Sequence, residues 1–351
     1  MTKYGGSNPW PEVMEAMTAA STSFVNVADL NRRVGEFIAE ITGAEAGMVT
    51  SGSAGALVMS IAACMTGTSI PNVRRLPNTK GMKSELVIQK IHRGGFSPLY
   101  THSGASFVEV GNVNSTLPEE LDDAITDNTA AVAYLFAPRI LTNGLTLPQV
   151  AEIAHARGVP VIVDAAGRLP PKENLSRYIT EGADLVAMSG GKHIRGPQGT
   201  GMLFGKRDLI DAAFMNNSPN QSLGRSHKVS KEEMVGLYTA LKILVERDDE
   251  AELEEFRDLL APIYDRLKKI PSLQVSIEFD ENTYRLPTLV ISLIAENRKR
   301  DPEDIMKELI DGDPSVFLLY DSNLSVFFVN PFNLQADDVD ILASRLAEVL
   351  A

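Results

Sequence analysis

Apolar residues along the first two thirds of the chain follow two alternating patterns. Short β-branched runs at 47–51, 86–89, 107–110, 131–136, 159–164, 185–189 and 201–204 are separated by stretches whose apolar positions recur every three or four residues. Nearly unbroken apolar runs suit strands covered on both faces, and the amphipathic stretches between them supply the cover. The pattern predicts an α/β fold whose large domain has a mostly parallel seven-stranded sheet. Helices at 53–65, 147–157 and 174–180 end at Gly67, Gly158 and Gly182, residues that accept the left-handed backbone common at helix stops. Two further helices, 12–20 and 28–42, precede the first strand.

The pattern changes after Lys206. Long helical periodicities with charged faces cover 231–247 and 251–270. Strands at 274–279 and 288–293, a helix at 302–310, strands at 316–320 and 325–329 and a helix at 336–350 then read as a small α+β domain. The expected organisation is a helical segment over 1–45, a large α/β domain over 46–248 and a small C-terminal domain over 249–351. The longest irregular segment is 69–83, and no internal repeat is evident.

Composition narrows the function. A net charge of −13 opposes binding to phosphate backbones and anionic lipid surfaces, so neither nucleic acid nor a membrane is expected as partner. The first ten residues are polar rather than basic and then apolar, and no apolar run is long enough to span a bilayer, so a cytoplasmic protein is expected. The single cysteine, Cys64, lies in an apolar helical stretch and reads as a buried structural thiol. None of the five histidines has metal-ligand spacing with another His, Cys or carboxylate, so no metal site is expected. His155, at the end of its helix, reads as a solvated residue or a partner of the helix dipole.

Candidate chemistry concentrates at two strand ends. The run at 159–164 closes on Asp164, followed by the small residues Ala165, Ala166 and Gly167; the run at 185–189 opens into Gly190, Gly191 and Lys192. Groups at the carboxyl edge of a parallel sheet face the crevice where such folds bind ligands. An amine there can attack a carbonyl, and a carboxylate can hold a ring nitrogen protonated. The turn Ser51, Gly52, Ser53 and Ala54 offers backbone N–H groups to an anion at a helix start, and Ser189 adds a hydroxyl. Taken singly, each feature is more often a turn, a cap or a solvated lysine. Their joint occurrence in one α/β frame favours a site.

These residues also carry a resemblance. The segment from Gly182 to Lys192, with Arg195, Gly196, Pro197 and Gln198, is similar to the cofactor-lysine segment of the selenocysteine synthase (L-seryl-tRNA selenium transferase)-like family of fold-type I pyridoxal 5′-phosphate enzymes. The likeness extends to Val163–Ala166, Leu169–Pro171, Tyr4–Ser7, Thr42–Glu45, and Gly224–Arg225 with Lys228–Val229 and Lys231–Glu233, and looks strongest toward the D-glucosaminate-6-phosphate ammonia-lyase branch. It implies a large domain like that of aspartate aminotransferase, with Lys192 as the Schiff-base lysine and Asp164 as the partner of the pyridine nitrogen. Ser51, Gly52, Ser53, Ala54 and Ser189 match phosphate-binding positions, and His92 the residue stacked on the ring. Tyr4, Gly5, Arg93, Arg139, Arg225 and Lys228 fall where substrate or a neighbouring subunit is contacted, which implies a homodimer or a larger even assembly. Where relatives carry an arginine after a strand of the small domain, this chain has Phe317–Asp321, leaving Arg139 or Arg285 to bind a substrate carboxylate.

The leading expectation is α,β-elimination from a β-hydroxy α-amino acid or amino sugar acid, giving a 2-keto acid and ammonia. Racemisation, retro-aldol cleavage or β-replacement would use the same lysine. A more distant reading takes Ser189 and Lys192 as the Ser-x-x-Lys pair of a hydrolase, which requires a serine at a helix start.

Overall fold

A computed structural model describes residues 2–136, 143–280, 284–294 and 300–351. The chain forms two compact units, residues 1–246 and 247–351. The helices of the first 45 residues pack within the first unit.

The first unit is built on seven strands: β1 (Ala46–Ser51), β2 (Glu85–Gln89), β3 (Ser106–Val110), β4 (Thr129–Leu135), β5 (Val161–Asp164), β6 (Leu185–Ser189) and β7 (Thr200–Gly205). Their order is β1-β7-β6-β5-β4-β2-β3. Only β7 runs against its neighbours; the other adjacent pairs are parallel. Alternate side chains of the central strands enter two separate cores. Val132, Tyr134, Val161 and Val163 join one, while Ala131, Ala133 and Ile162 join the other. This accounts for the nearly unbroken apolar runs, because both faces are covered.

Strand β5 begins at Val161, two residues after the apolar run does. Pro160 has no N–H to give the ladder, although its carbonyl still accepts from Val132 N at 2.9 Å. The edge strand β1 is closed by a side chain: Asn31, buried on the helix Val27–Thr42, donates to Val49 O at 3.0 Å and accepts from Val49 N at 2.8 Å. That pairing removes a free sheet edge. The helix approaches closely because Gly35 has no side chain; a Cβ there would lie 2.0 Å from Gly47 O.

The irregular stretch expected at 69–83 contains the short helix Ile70–Arg75, with a proline in its first turn where a missing N–H costs nothing. Helices Pro118–Ala124 and Arg207–Asn216 were also not evident from periodicity. Cys64 is half-buried, and burial pushes its thiol pKa up.

In the second unit, β8 (Leu273–Asp280), β9 (Tyr284–Leu293), β10 (Leu319–Asp321) and β11 (Val326–Val329) form an antiparallel sheet in the order β10-β11-β9-β8. Helices Asp249–Leu267, Pro302–Asp311 and Ala336–Leu350 complete it around its own core. β10 starts three residues later than the apolar run predicts.

At the amino edge of the central sheet, Asp184 is buried and fully engaged. It accepts from Val161 N at 2.7 Å, lies 2.8 Å from His155 Nε2 and pairs with Lys206 Nζ at 2.6 Å. His155 therefore belongs to a structural ion cluster rather than to solvent or the helix dipole alone. Asp184→Ala leaves the buried Val161 N–H without its acceptor while His155 and Lys206 keep access to water, so it should lower unfolding free energy by about 1–3 kcal/mol. Urea unfolding of the cofactor-free protein tests this; a loss below about 1 kcal/mol would mean that the cluster is effectively solvated.

Candidate active site

Strands β1 and β6 are each antiparallel to β7, so their carboxyl ends share an edge with that of β5. Register fixes what lies along it. Ser51 pairs with Thr200, Ser189 with Gly201, and Asp164 with Ala187. The turn after β1, the Ser189 hydroxyl and the Asp164 carboxylate are thus set side by side by hydrogen-bonded backbone.

Asp164 is 5% exposed. Its Oδ1 accepts from Ala166 N at 3.1 Å and its Oδ2 from Tyr100 OH at 3.3 Å. Burial pushes the carboxyl above its ordinary range, while the Ala166 N–H, the Lys192 charge, the Tyr100 hydroxyl and Arg168 pull it back. Lys192 reaches toward it from the loop after β6. A Cβ at Gly167 would lie 3.0 Å from Lys192 Nζ, so the absent side chain leaves the space the amine occupies. Burial lowers the lysine's pKa, Asp164 opposes that shift and Arg168 adds to it. The amine therefore loses its proton more readily than an exposed lysine, and the neutral form is the nucleophilic one. Ala165–Leu169, Ser189, Lys192 and His193 line a cleft at this point.

The turn after β1 has the features of an anion cradle. Gly52 has φ +67°, and a Cβ at Gly201 on β7 would come within 2.3 Å of its carbonyl carbon. The helix Gly52–Thr66 that follows has no side-chain cap, because Ser51 Oγ lies 3.1 Å from His227 Nδ1 instead of bonding the first turn. Its leading N–H groups, including those of Ser53 and Ala54, have no side-chain acceptor and fit a phosphate. The His227 pKa is lowered by burial and by His102, whose ring centroid is 5.9 Å away.

An uncapped helix start, a buried carboxylate and a dehydrated amine on one sheet edge suit the phosphate, ring nitrogen and aldehyde of pyridoxal 5′-phosphate. Other expected positions lie differently. His92 is buried after β2, its ring edge-on to Tyr134 at 4.6 Å and its pKa lowered by burial to about 4. Its Nδ1 takes a long 3.4 Å bond from Leu135 N, and its buried Nε2 has no hydrogen-bond partner among the described residues. Arg93 is committed to Glu109 at 3.2 Å and to the face of Phe107. Tyr4, Arg225 and Lys228 are exposed, as is Gly5 with φ +91°. Arg139 lies outside the described residues. Ser189 ends a strand and residues 190–199 are turns and bends, so the helix that a Ser-x-x-Lys hydrolase requires is lacking.

Two residues at this edge were missed from the sequence. Tyr100 arrives from a segment distant along the chain and carries no local signal. Arg168 had one, its position four residues after Asp164.

Known proteins share this fold. The fold is that of fold-type I pyridoxal-phosphate enzymes; alanine–glyoxylate aminotransferase from Nostoc superposes with a TM-score of 0.66 at 17% identity, over 99% of this chain and 94% of its own. A family model described as L-seryl-tRNA selenium transferase (SelA) matches residues 12–272. The chain belongs to that family, whose enzymes depend on pyridoxal phosphate. It is 31% identical to 5′-C-glycyluridine monooxygenase-decarboxylase of a Streptomyces species, over 99% of this chain and 88% of that one. It is 28% identical to D-glucosaminate-6-phosphate ammonia lyase of Salmonella typhimurium, over 99% and 93%. A solved structure of D-glucosaminate-6-phosphate ammonia-lyase matches with a TM-score of 0.84, 28% identity and coverage of 100% and 93%.

The raised carboxyl pKa has a consequence for stability. Because the folded value lies above the ordinary 3.8, the ionised carboxylate costs stability at neutral pH, and that cost disappears once pH falls to the unfolded range. Asp164→Asn should therefore raise the thermal midpoint of the cofactor-free protein at pH 7, with the gain shrinking in acid. A midpoint that is unchanged at pH 7, or a gain that persists in acid, contradicts this balance.

Proposed function

We propose that this enzyme eliminates across Cα–Cβ of a β-hydroxy α-amino acid or amino sugar acid, giving a 2-keto acid and ammonia. The observation that carries the reading is the Lys192 amine, held against Gly167 within the field of a buried carboxylate. Full-length similarity to an ammonia lyase supports the choice of outcome.

Lys192 Nζ would hold the cofactor covalently, and Asp164 would carry the negative charge facing the ring nitrogen. The N–H groups of Gly52, Ser53 and Ala54, with Ser51 and Ser189, would hold the phosphate, and His92 would lie against the ring. When bound, pyridoxal 5′-phosphate supplies an aldehyde for the amine and a ring that withdraws electrons from the substrate α-carbon. Once displaced by substrate, Lys192 would be the base that takes the α-proton, a role its lowered pKa favours over that of an exposed lysine. Loss of the β-hydroxyl as water and hydration of the released C=N then free ammonia.

Arg225 and Lys228, exposed on a single chain, would complete a neighbouring copy's site in a homodimer or larger even assembly. Among the described residues no helix is long and apolar enough to cross a membrane, in keeping with the proposed cytoplasmic location.

Likeness to the Streptomyces enzyme favours one second reading, oxygen-consuming decarboxylation of an amino acid at the same lysine. Product analysis separates the two. Incubation with β-hydroxy amino acids and amino sugar acids should yield ammonia and 2-keto acid in equal amounts, without oxygen. Lys192→Ala should reduce turnover by about 10²- to 10⁴-fold. Carbon dioxide released only in air would establish the second reading, and inverted substrate alone would show a racemase.

A further inference from the structure

We infer that residues 2–10 form a strap that fixes the Lys192 loop, with Arg195 as its positioning residue. The inference rests on the reading of Lys192 as the cofactor-holding amine.

The loop between β6 and β7 is folded tightly on itself. Gly190 N donates to Thr200 O and Gly196 N to Gly190 O, both at 2.9 Å, and Arg195 N donates to Lys192 O at 3.0 Å. A Cβ at Gly191 would lie 2.5 Å from Gln198 Cα. One side of this loop is held by the sheet. The N-terminal segment holds the other.

Four separate contacts join strap and loop. Ser7 N donates to Gly191 O at 3.1 Å, Gln198 Nε2 to Thr2 O at 2.9 Å and Arg195 Nε to Asn8 O at 2.9 Å. The Arg195 guanidinium also lies 3.6 Å over the Trp10 ring, a cation–π contact. Gly6 has φ +80°, and a Cβ there would come within 2.9 Å of Gly191 O, so the strap lies flat on the loop. Its far end is anchored. The helix Pro11–Ser21 packs on the helix Lys231–Glu246, where Lys231 Nζ donates to Ala20 O at 2.6 Å and Gly236 leaves room for Met17.

Arg195 itself has φ +56°, a backbone conformation that glycine adopts without penalty and arginine does not. Glycine would satisfy the backbone, but it would abolish the bonds to Asn8 and Trp10. None of the four contacts is made by the Lys192 side chain, so the strap acts through the loop that carries it. Positional looseness there displaces an amine that must stay over Gly167 and near Asp164.

The test uses full-length protein stripped of cofactor. Pyridoxal 5′-phosphate is added, borohydride is added at intervals, and covalent labelling is followed as a function of pH. Arg195→Gly relieves the backbone while cutting the clamp, so it should fold with a thermal midpoint close to that of the parent. It should nevertheless label about ten- to a hundred-fold more slowly, the scale expected for a misplaced reactive group. Its pH midpoint for labelling should move up, because an amine released into water regains the pKa of an ordinary lysine. Arg195→Lys, which keeps the cation over Trp10, should fall between the two. Gly6→Ala perturbs the same contact from the strap side and should also slow labelling; if either variant fails to fold, the other decides. Labelling of Arg195→Gly and Gly6→Ala at the parent rate and pH midpoint would overturn the strap. A parent-like label on Lys192→Ala would overturn the underlying reading of the lysine instead.

Discussion

The site depends on keeping a carboxylate and an amine out of water together. Asp164 is buried at the end of β5, and Lys192 is half-buried near the start of the loop from β6. Burial pushes the two pKa values in opposite directions, up for the acid and down for the amine, while their mutual attraction opposes both shifts. Each residue reduces the cost of burying the other. The sheet makes the pairing possible, because the register of β5 against β6 brings the two carboxyl ends together and both faces are sealed by core. Gly167 leaves the space for the amine, and Tyr100 gives the carboxylate a second donor besides Ala166 N. A site built this way gives up folding stability for reactivity, as active sites commonly do.

Much of this frame was legible along the chain, for a physical reason. Strands covered on both faces must be apolar throughout, so the seven runs of the first unit stood out and their ends pointed to Asp164, Ser189 and Lys192. The glycines at 167, 190 and 191 marked where backbone or side chain comes close, and Gly52 a left-handed turn. Contacts between distant segments were not legible. Tyr100 reaches Asp164 from a short helix 64 residues earlier, and His227 diverts Ser51 from its capping position across 176 residues. Nothing in the local pattern around Tyr100 points to Asp164, and nothing around His227 points to Ser51. Arg93 shows the converse: a cation beside a candidate site was spent on Glu109 and Phe107, pairings that only the fold reveals. The Asn31 side chain that closes the edge of β1 was equally invisible.

The same reasoning bears on specificity. The scaffold is shared with an aminotransferase at 17% identity, and the chain resembles both an ammonia lyase and a monooxygenase-decarboxylase over nearly its whole length. On the proposed reading, the paired acid and amine set the cofactor chemistry. The bond that breaks is set by how a substrate is held beside them.

Lys192, and no other lysine, is proposed to hold the cofactor. Borohydride reduction of the pyridoxal-phosphate-loaded protein, followed by proteolysis and mass spectrometry, tests this directly. A single pyridoxyl modification is expected, on the peptide that contains Lys192. Modification of a different lysine, or of several in comparable amounts, would contradict it.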